Sequence, residues 1–192
     1  MKTLLIAAAA ALAFGAPALA ASSPAPNSNA LSGVAPTVCV MSAPTINNAD
    51  ATLVSATANA SAVQFSNFAS PANAQLTPNQ DFTLTVQATC NYAHSFGLKS
   101  QNGGLKNTTT SVVGGSFIQS VNYSVGGLWG LHPIALQTFG LPNTKSFGFG
   151  DVDGANRGSV VLAVSLNNPL FNRPLVAGAF TDVLTLQLGA PL

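Results

Sequence analysis

The chain has 192 residues, of which 47% are hydrophobic and 6% charged; six Lys and Arg are set against five Asp, with no Glu. No cluster of bases is present to neutralise phosphates, which excludes a nucleic-acid groove. The surface must be built from Ser, Thr, Asn and Gln, and its near-zero net charge removes a barrier to self-association.

In chain order, the first element is a leader. Lys2 supplies a short positive region, Leu4 to Phe14 is an apolar run, and Ala18-Leu19-Ala20 is a small-x-small cleavage site. Residues 1–20 read as a signal peptide cleaved after Ala20. The run is too short to span a bilayer comfortably, its far flank carries no charge, and no later segment is apolar enough to cross. The expected destination is therefore the periplasm and beyond, with no stable membrane insertion. Residues 21–36 are rich in Ser, Pro, Ala and Asn, with Pro24, Pro26 and Pro36, and read as a flexible arm. Residues 37–192 are long enough for one all-β domain.

Within that domain, Thr37 to Met41 reads as a first strand. Residues 42–60 are low in bulk, with a short strand near Thr52–Thr57. Ala62 to Phe68 alternates weakly. Asp81 to Cys90 is the clearest interior strand, with Phe82, Leu84, Val86 and Ala88 on one face. Phe96 to Ser100 follows, and Asn102-Gly103-Gly104 is a turn signal. Phe117 to Val125 places Phe117, Val121, Tyr123 and Val125 on one side, and Gly126-Gly127 is expected to end that strand. Ser159 to Leu166 is another strand, turned by Asn167-Asn168-Pro169. The last is Phe180 to Leu188, with Phe180, Leu184, Leu186 and Leu188 on one face, interrupted by Asp182. An amphipathic strand so near the C-terminus must pair with an edge to satisfy its backbone groups. The spacing of short strands and turns is that of a β-sandwich.

Chemistry-bearing residues are few. Two cysteines in an exported chain, Cys39 and Cys90, point to one disulfide. It would close a loop of about fifty residues and stabilise the fold by roughly 3–4 kcal/mol on the chain-entropy model. The alternatives are a metal site, for which a lone pair lacks the other ligands, and a catalytic thiol partnered by His94 or His132. Glycoside hydrolysis needs two carboxylates, and only Asp151 and Asp153 lie close in sequence. No G-x-S-x-G elbow occurs, and neither His has a neighbouring Asp in sequence. No catalytic residue, cofactor or metal is expected. Asp151-Val152-Asp153-Gly154 resembles part of a calcium loop but lacks the later acidic ligand, and reads as a hairpin turn. Asn59, Asn107 and Asn122 head N-x-[ST] triplets, which chance supplies in so polar a chain. Trp129 reads as a partly buried anchor at a strand end rather than a sugar-stacking residue.

Several of these segments together resemble the spore coat U domain family. They are the Phe82–Cys90 strand, Phe96-Gly97-Leu98, Asn102-Gly103-Gly104-Leu105, Val121-Asn122-Tyr123, Leu128-Trp129-Gly130 and the closing Gly178, Phe180, Asp182, Leu184 and Leu186. The resemblance covers roughly 37–192. It departs from the family in a longer segment between Cys39 and Phe82, in Phe180 where Tyr is usual, and in lacking the base that often follows the first Gly loop unless Lys106 takes its place. The resemblance implies a secreted pilin subunit of archaic chaperone–usher pili. Its fold would be an incomplete immunoglobulin-like β-sandwich, completed by a donor strand from another subunit. The implied partners are a periplasmic pilus chaperone, an outer-membrane usher and other pilin subunits. Phe180, Leu184, Leu186 and Leu188 would border the open groove. The arm would carry the donor strand, with Leu31, Gly33 and Ala35 as its alternating positions. The competing expectation is a secreted single-domain adhesin or sugar-binding module on the same sandwich.

Overall fold

Alternation at both ends, with Thr83, Leu84 and Thr85 all half-buried between them, marks the long strand. From Asp81 to Cys90, Phe82, Val86, Ala88 and Cys90 are buried while Gln87 is exposed, the period-two pattern of a strand with one face on a core. A computed structural model describes residues 30–47, 51–56, 61–110, 115–138, 146–167 and 173–189. Residues 30–35, at the end of the first of two units into which the chain divides at Ala35, are irregular and exposed. The second unit, from Pro36, holds every strand described. They are β1 (Cys39–Met41), β2 (Thr45–Asn47), β3 (Ala51–Ala56), β4 (Ser61–Phe65), β5 (Asp81–Cys90), β6 (His94–Ser100), β7 (Leu105–Lys106), β8 (Ser120–Trp129), β9 (His132–Gln137), β10 (Ser146–Val152), β11 (Asn156–Asn167) and β12 (Leu184–Gly189). No helix occurs among the described residues.

All the strand pairs are antiparallel. A seven-stranded sheet runs β1-β5-β11-β8-β7, with β2 also on β5 and β9 also on β8. A three-stranded sheet runs β10-β6-β12, and β3 pairs with β4 as a separate hairpin. The two larger sheets face each other across one core. Phe82, Val86, Val160, Leu162, Val164, Tyr123 and Val125 from the first meet Phe96, Leu98 and Val152 from the second. The molecule is thus an all-β sandwich. A smaller cluster of Leu76, Ile118, Val121 and Leu175 extends it at one end.

Cys39 and Cys90 are bonded to each other and sit directly opposite in the β1–β5 ladder. The bond ties the start of the domain to its central strand.

Three sequence expectations need correcting. Gly126 and Gly127 do not end β8, which continues to Trp129. The reason is packing: a Cβ on Gly127 would lie 2.5 Å from Leu162 Cδ2 and 2.9 Å from the Val161 carbonyl, so the missing side chain lets β11 approach. Phe117 does not join the inward face of that strand; it precedes β8 and is exposed. The segments forming β9 and β10 carried no strand expectation. The turn expected at Asp153-Gly154 joins β10 to β11 but closes no hairpin, because β10 pairs with β6 in the smaller sheet and β11 with β5 and β8 in the larger. Of the turn at Asn167-Asn168-Pro169, Asn168 and Pro169 lie outside the described residues, as does Asn59.

A candidate assembly groove

The last strand begins later than its alternation suggests, and the residues before it explain why. Thr181 is taken by β7: Lys106 N donates to Thr181 O and Thr181 N returns to Lys106 O. Asp182 turns inward and collects four donors. The Ser100 hydroxyl (2.5 Å) and the Tyr123 hydroxyl (2.6 Å) donate to Oδ2, and the Asn102 and Val183 amides (both 2.8 Å) donate to Oδ1. Ser100 Oγ in turn accepts from Gly103 N and Gly104 N, which stitches the Asn102-Gly103-Gly104 turn to the same carboxylate. Burial and this hydrogen bond to Asp182 raise the Tyr123 pKa well above its ordinary 10.0. Burial also lowers the pKa of Lys106, an effect partly opposed by the Asp182 carboxylate. The network links β6, β8 and the start of β12 across both sheets. Asp182, an interruption of the apolar pattern in sequence, is the latch that sets where β12 starts.

From Leu184 onward the strand pairs only with β6 among the described residues. Gln101 N donates to Val183 O. By the two-residue alternation of an antiparallel ladder, the backbone groups of Leu184, Leu186 and Leu188 then point away from β6. Their side chains are half-buried and pack on the main core. The far edge of β12 has no strand partner among the described residues. At its C-terminal end β12 lies beside β1.

A cleft of about 380 Å³ opens at the start of this edge. Its floor is apolar, from Phe82, Leu84, Val164 and Leu166 of the large sheet, with Leu105 and Tyr123 alongside. One wall is the chain from Phe180 to Leu184, and the other is β4, through Ala62, Val63 and Phe65. The Phe65 ring packs edge-on to Phe82, with centroids 5.6 Å apart, and Phe68 meets Phe180 at 5.4 Å. Of the four sequence-chosen groove residues, Phe180 and Leu184 line this cleft. Leu186 and Leu188 lie further along the strand, and Phe180 packs on the smaller cluster rather than in the ladder. Sequence reading missed the β4 wall, because residues 42–60 before it carry little bulk, and missed the partners of Asp182. Leu31, Gly33 and Ala35 lie in the exposed, irregular segment ahead of Pro36.

The other polar clusters are occupied. Trp129 is fully buried and its Nε1 donates to His94 Nε2 (2.6 Å), while His94 Nδ1 lies 2.7 Å from Tyr92 O. That geometry makes Nδ1–H the donor to Tyr92 and Nε2 the acceptor. Trp129 is thus more enclosed than its sequence context suggests and cannot stack on a sugar. His94 also lies close to the two sulfurs. With those sulfurs bonded to each other, a metal would find one imidazole whose Nε2 already accepts from Trp129. Asn107, one of the N-x-[ST] positions, is buried and accepts from the Thr109 and Thr110 amides. Asp151 accepts from Ser95 Oγ (3.0 Å). The chain matches no protein-family model and no curated protein.

Proposed function

We propose that this protein is a structural subunit of a bacterial surface pilus, polymerising by donor-strand complementation. In this reading the sandwich is an immunoglobulin-like fold short of one strand, of the spore coat U kind. A periplasmic chaperone lends a strand to β12, and the arm of the next subunit replaces it after delivery to an outer-membrane usher. The observation that carries the reading is the unpartnered edge of β12 beside an apolar cleft. Such an edge is an aggregation template unless another strand covers it, and strand addition is the recognition mode that fits it. The disulfide fits an oxidising, exported compartment. The sparse charge offers little repulsion between copies.

Burying Leu31, the one large side chain on the Leu31, Gly33 and Ala35 face of the incoming strand, contributes about 1.5–3 kcal/mol before ordering costs. Each new ladder hydrogen bond adds about 0.5–1.5 kcal/mol. The test is a chain lacking residues 21–36, expressed with its chaperone. It should remain folded and chaperone-bound and form no fibres under the electron microscope. Fibres from the truncated chain would make the arm a linker only and remove this function for it.

A further inference from the structure

The large sheet has a second face, turned away from the core. Along β8, β9 and β11 buried side chains alternate with exposed ones, and the exposed ones align in rows across the ladders. Val161 sits between Leu128 and Thr85, and Leu128 lies beside Pro133. In the next row Ala163 sits between Gly126 and Thr83, and Gly126 lies beside Ala135. Leu128 is 54% exposed and Val161 42%, although both belong to interior strands. A Cβ on Gly126 would meet nothing within 4 Å. The middle of this face is therefore flat, uncharged and open.

Its charges lie at the two ends. Apart from Lys106 in β7, Arg157 and Asp81 are the only charged residues in the strands of this sheet. Both are exposed and stand on the outward side. Arg157 comes four residues before Val161, and Asp81 pairs with Ser165, four residues after it. The Val161 row is thus midway between one positive and one negative end. No ion pair holds either charge among the described residues.

We propose that this face joins two copies of the chain, packed sheet to sheet about a two-fold axis that crosses the strands over the Val161 row. Three observations favour a second copy as the occupant. The rotation reverses the strand direction, so the Arg157 end of each copy lies over the Asp81 end of the other, and the two contacts are identical. It also lays the row of Val161, Leu128 and Pro133 on itself, in the near-aligned arrangement in which twisted sheets stack. The face is large enough. It spans five strands about 4.8 Å apart and, from Asp81 to Thr89, eight steps of about 3.4 Å. Two copies would bury roughly 1,200 Å² in all, the size of a small specific interface. The cleft opens on the inward side of the same sheet, through Phe82 and Leu84. Pairing leaves it free, so this inference does not rest on the pilus-subunit reading.

A cysteine on the axis tests it. In the full mature chain, Val161→Cys places a thiol opposite its own counterpart. Gln137 lies in the Ser165 row, so the thiol of Gln137→Cys would sit about 27 Å from its counterpart. A short bis-maleimide should link the Val161→Cys chain into covalent dimers that survive heating in detergent, and should leave the Gln137→Cys chain monomeric. Adding Arg157→Asp to Val161→Cys sets like charges against each other and should cut the linked fraction about tenfold or more. Adding Asp81→Arg as well should restore it. No link at position 161, or equal linking at 161 and 137, overturns the two-fold pairing. A link undiminished by Arg157→Asp, or not restored by the double exchange, overturns the Arg157–Asp81 register and the pairing with it. None of these outcomes bears on strand addition.

Discussion

Replacing Tyr123 by Phe removes one hydroxyl and leaves the ring in the core. In the folded protein that hydroxyl donates to Asp182 Oδ2 at 2.6 Å, and the carboxylate keeps three other donors in Ser100, Asn102 and Val183. The variant therefore deletes one charge-assisted bond without stranding the acceptor. A bond of this kind contributes about 1.5–3 kcal/mol, which is a fall of roughly 3–12 °C in Tm for a domain of this size. Urea denaturation at pH 7 and 25 °C followed by circular dichroism reads the difference directly.

The pH dependence of that difference is a sharper test. The folded pKa of Tyr123 lies above the unfolded 10.0. Its contribution is therefore complete below pH 10 and is lost as pH rises above it, because the unfolded chain ionises first. The loss approaches 1.4 kcal/mol per pH unit above 10. Phe at 123 has no such loss, so the gap between the two proteins should shrink from pH 10 to pH 11. A gap that stays constant through pH 11 would refute the buried, Asp182-bonded Tyr123. Equal stability of the two proteins at pH 7 would refute the latch.

Two further substitution pairs test the same construction. Leu186→Asp places a carboxylate against the core and should cost several kcal/mol in urea unfolding, whereas Thr185→Asp, at an exposed neighbour on the opposite face, should stay within about 0.5 kcal/mol; equal losses would refute the register. Gly127→Ala puts a Cβ 2.5 Å from Leu162 Cδ2 and should destabilise by about 1–3 kcal/mol. Gly126→Ala meets nothing within 4 Å and should leave the urea midpoint close to that of the parent protein.

Much of the sandwich was legible because burial leaves a period in the sequence. Asp81–Cys90 matches β5 residue for residue, and Ser159–Leu166 lies inside β11. The disulfide was legible from compartment and count, since an exported chain with two cysteines has few other uses for them. What the pattern hid falls into two kinds. Gly126 and Gly127 look like punctuation, and only the position of Leu162 on the neighbouring strand shows that one of them is a packing requirement. Asp182 looks like a defect in an apolar face. Only the folded chain brings Ser100 and Tyr123, 82 and 59 positions away, to its carboxylate. Such contacts have no local signature.

Those hidden residues bear on how a strand stays in place with one edge unpaired. Among the described residues β12 has a ladder on one side only, so it has half the backbone bonds that fix an interior strand. Its start is fixed by Asp182, through four donors drawn from β6, the turn after it, β8 and the chain itself. Its end lies beside β1, which the Cys39–Cys90 bond holds to β5. Between these two points Leu184, Leu186 and Leu188 grip the core while their backbone groups face outward. Fixing both ends and leaving the middle of the edge open keeps β12 in strand conformation. Were the proposed donor strand added there, it would meet an ordered edge, and the entropy of ordering would fall on the donor alone.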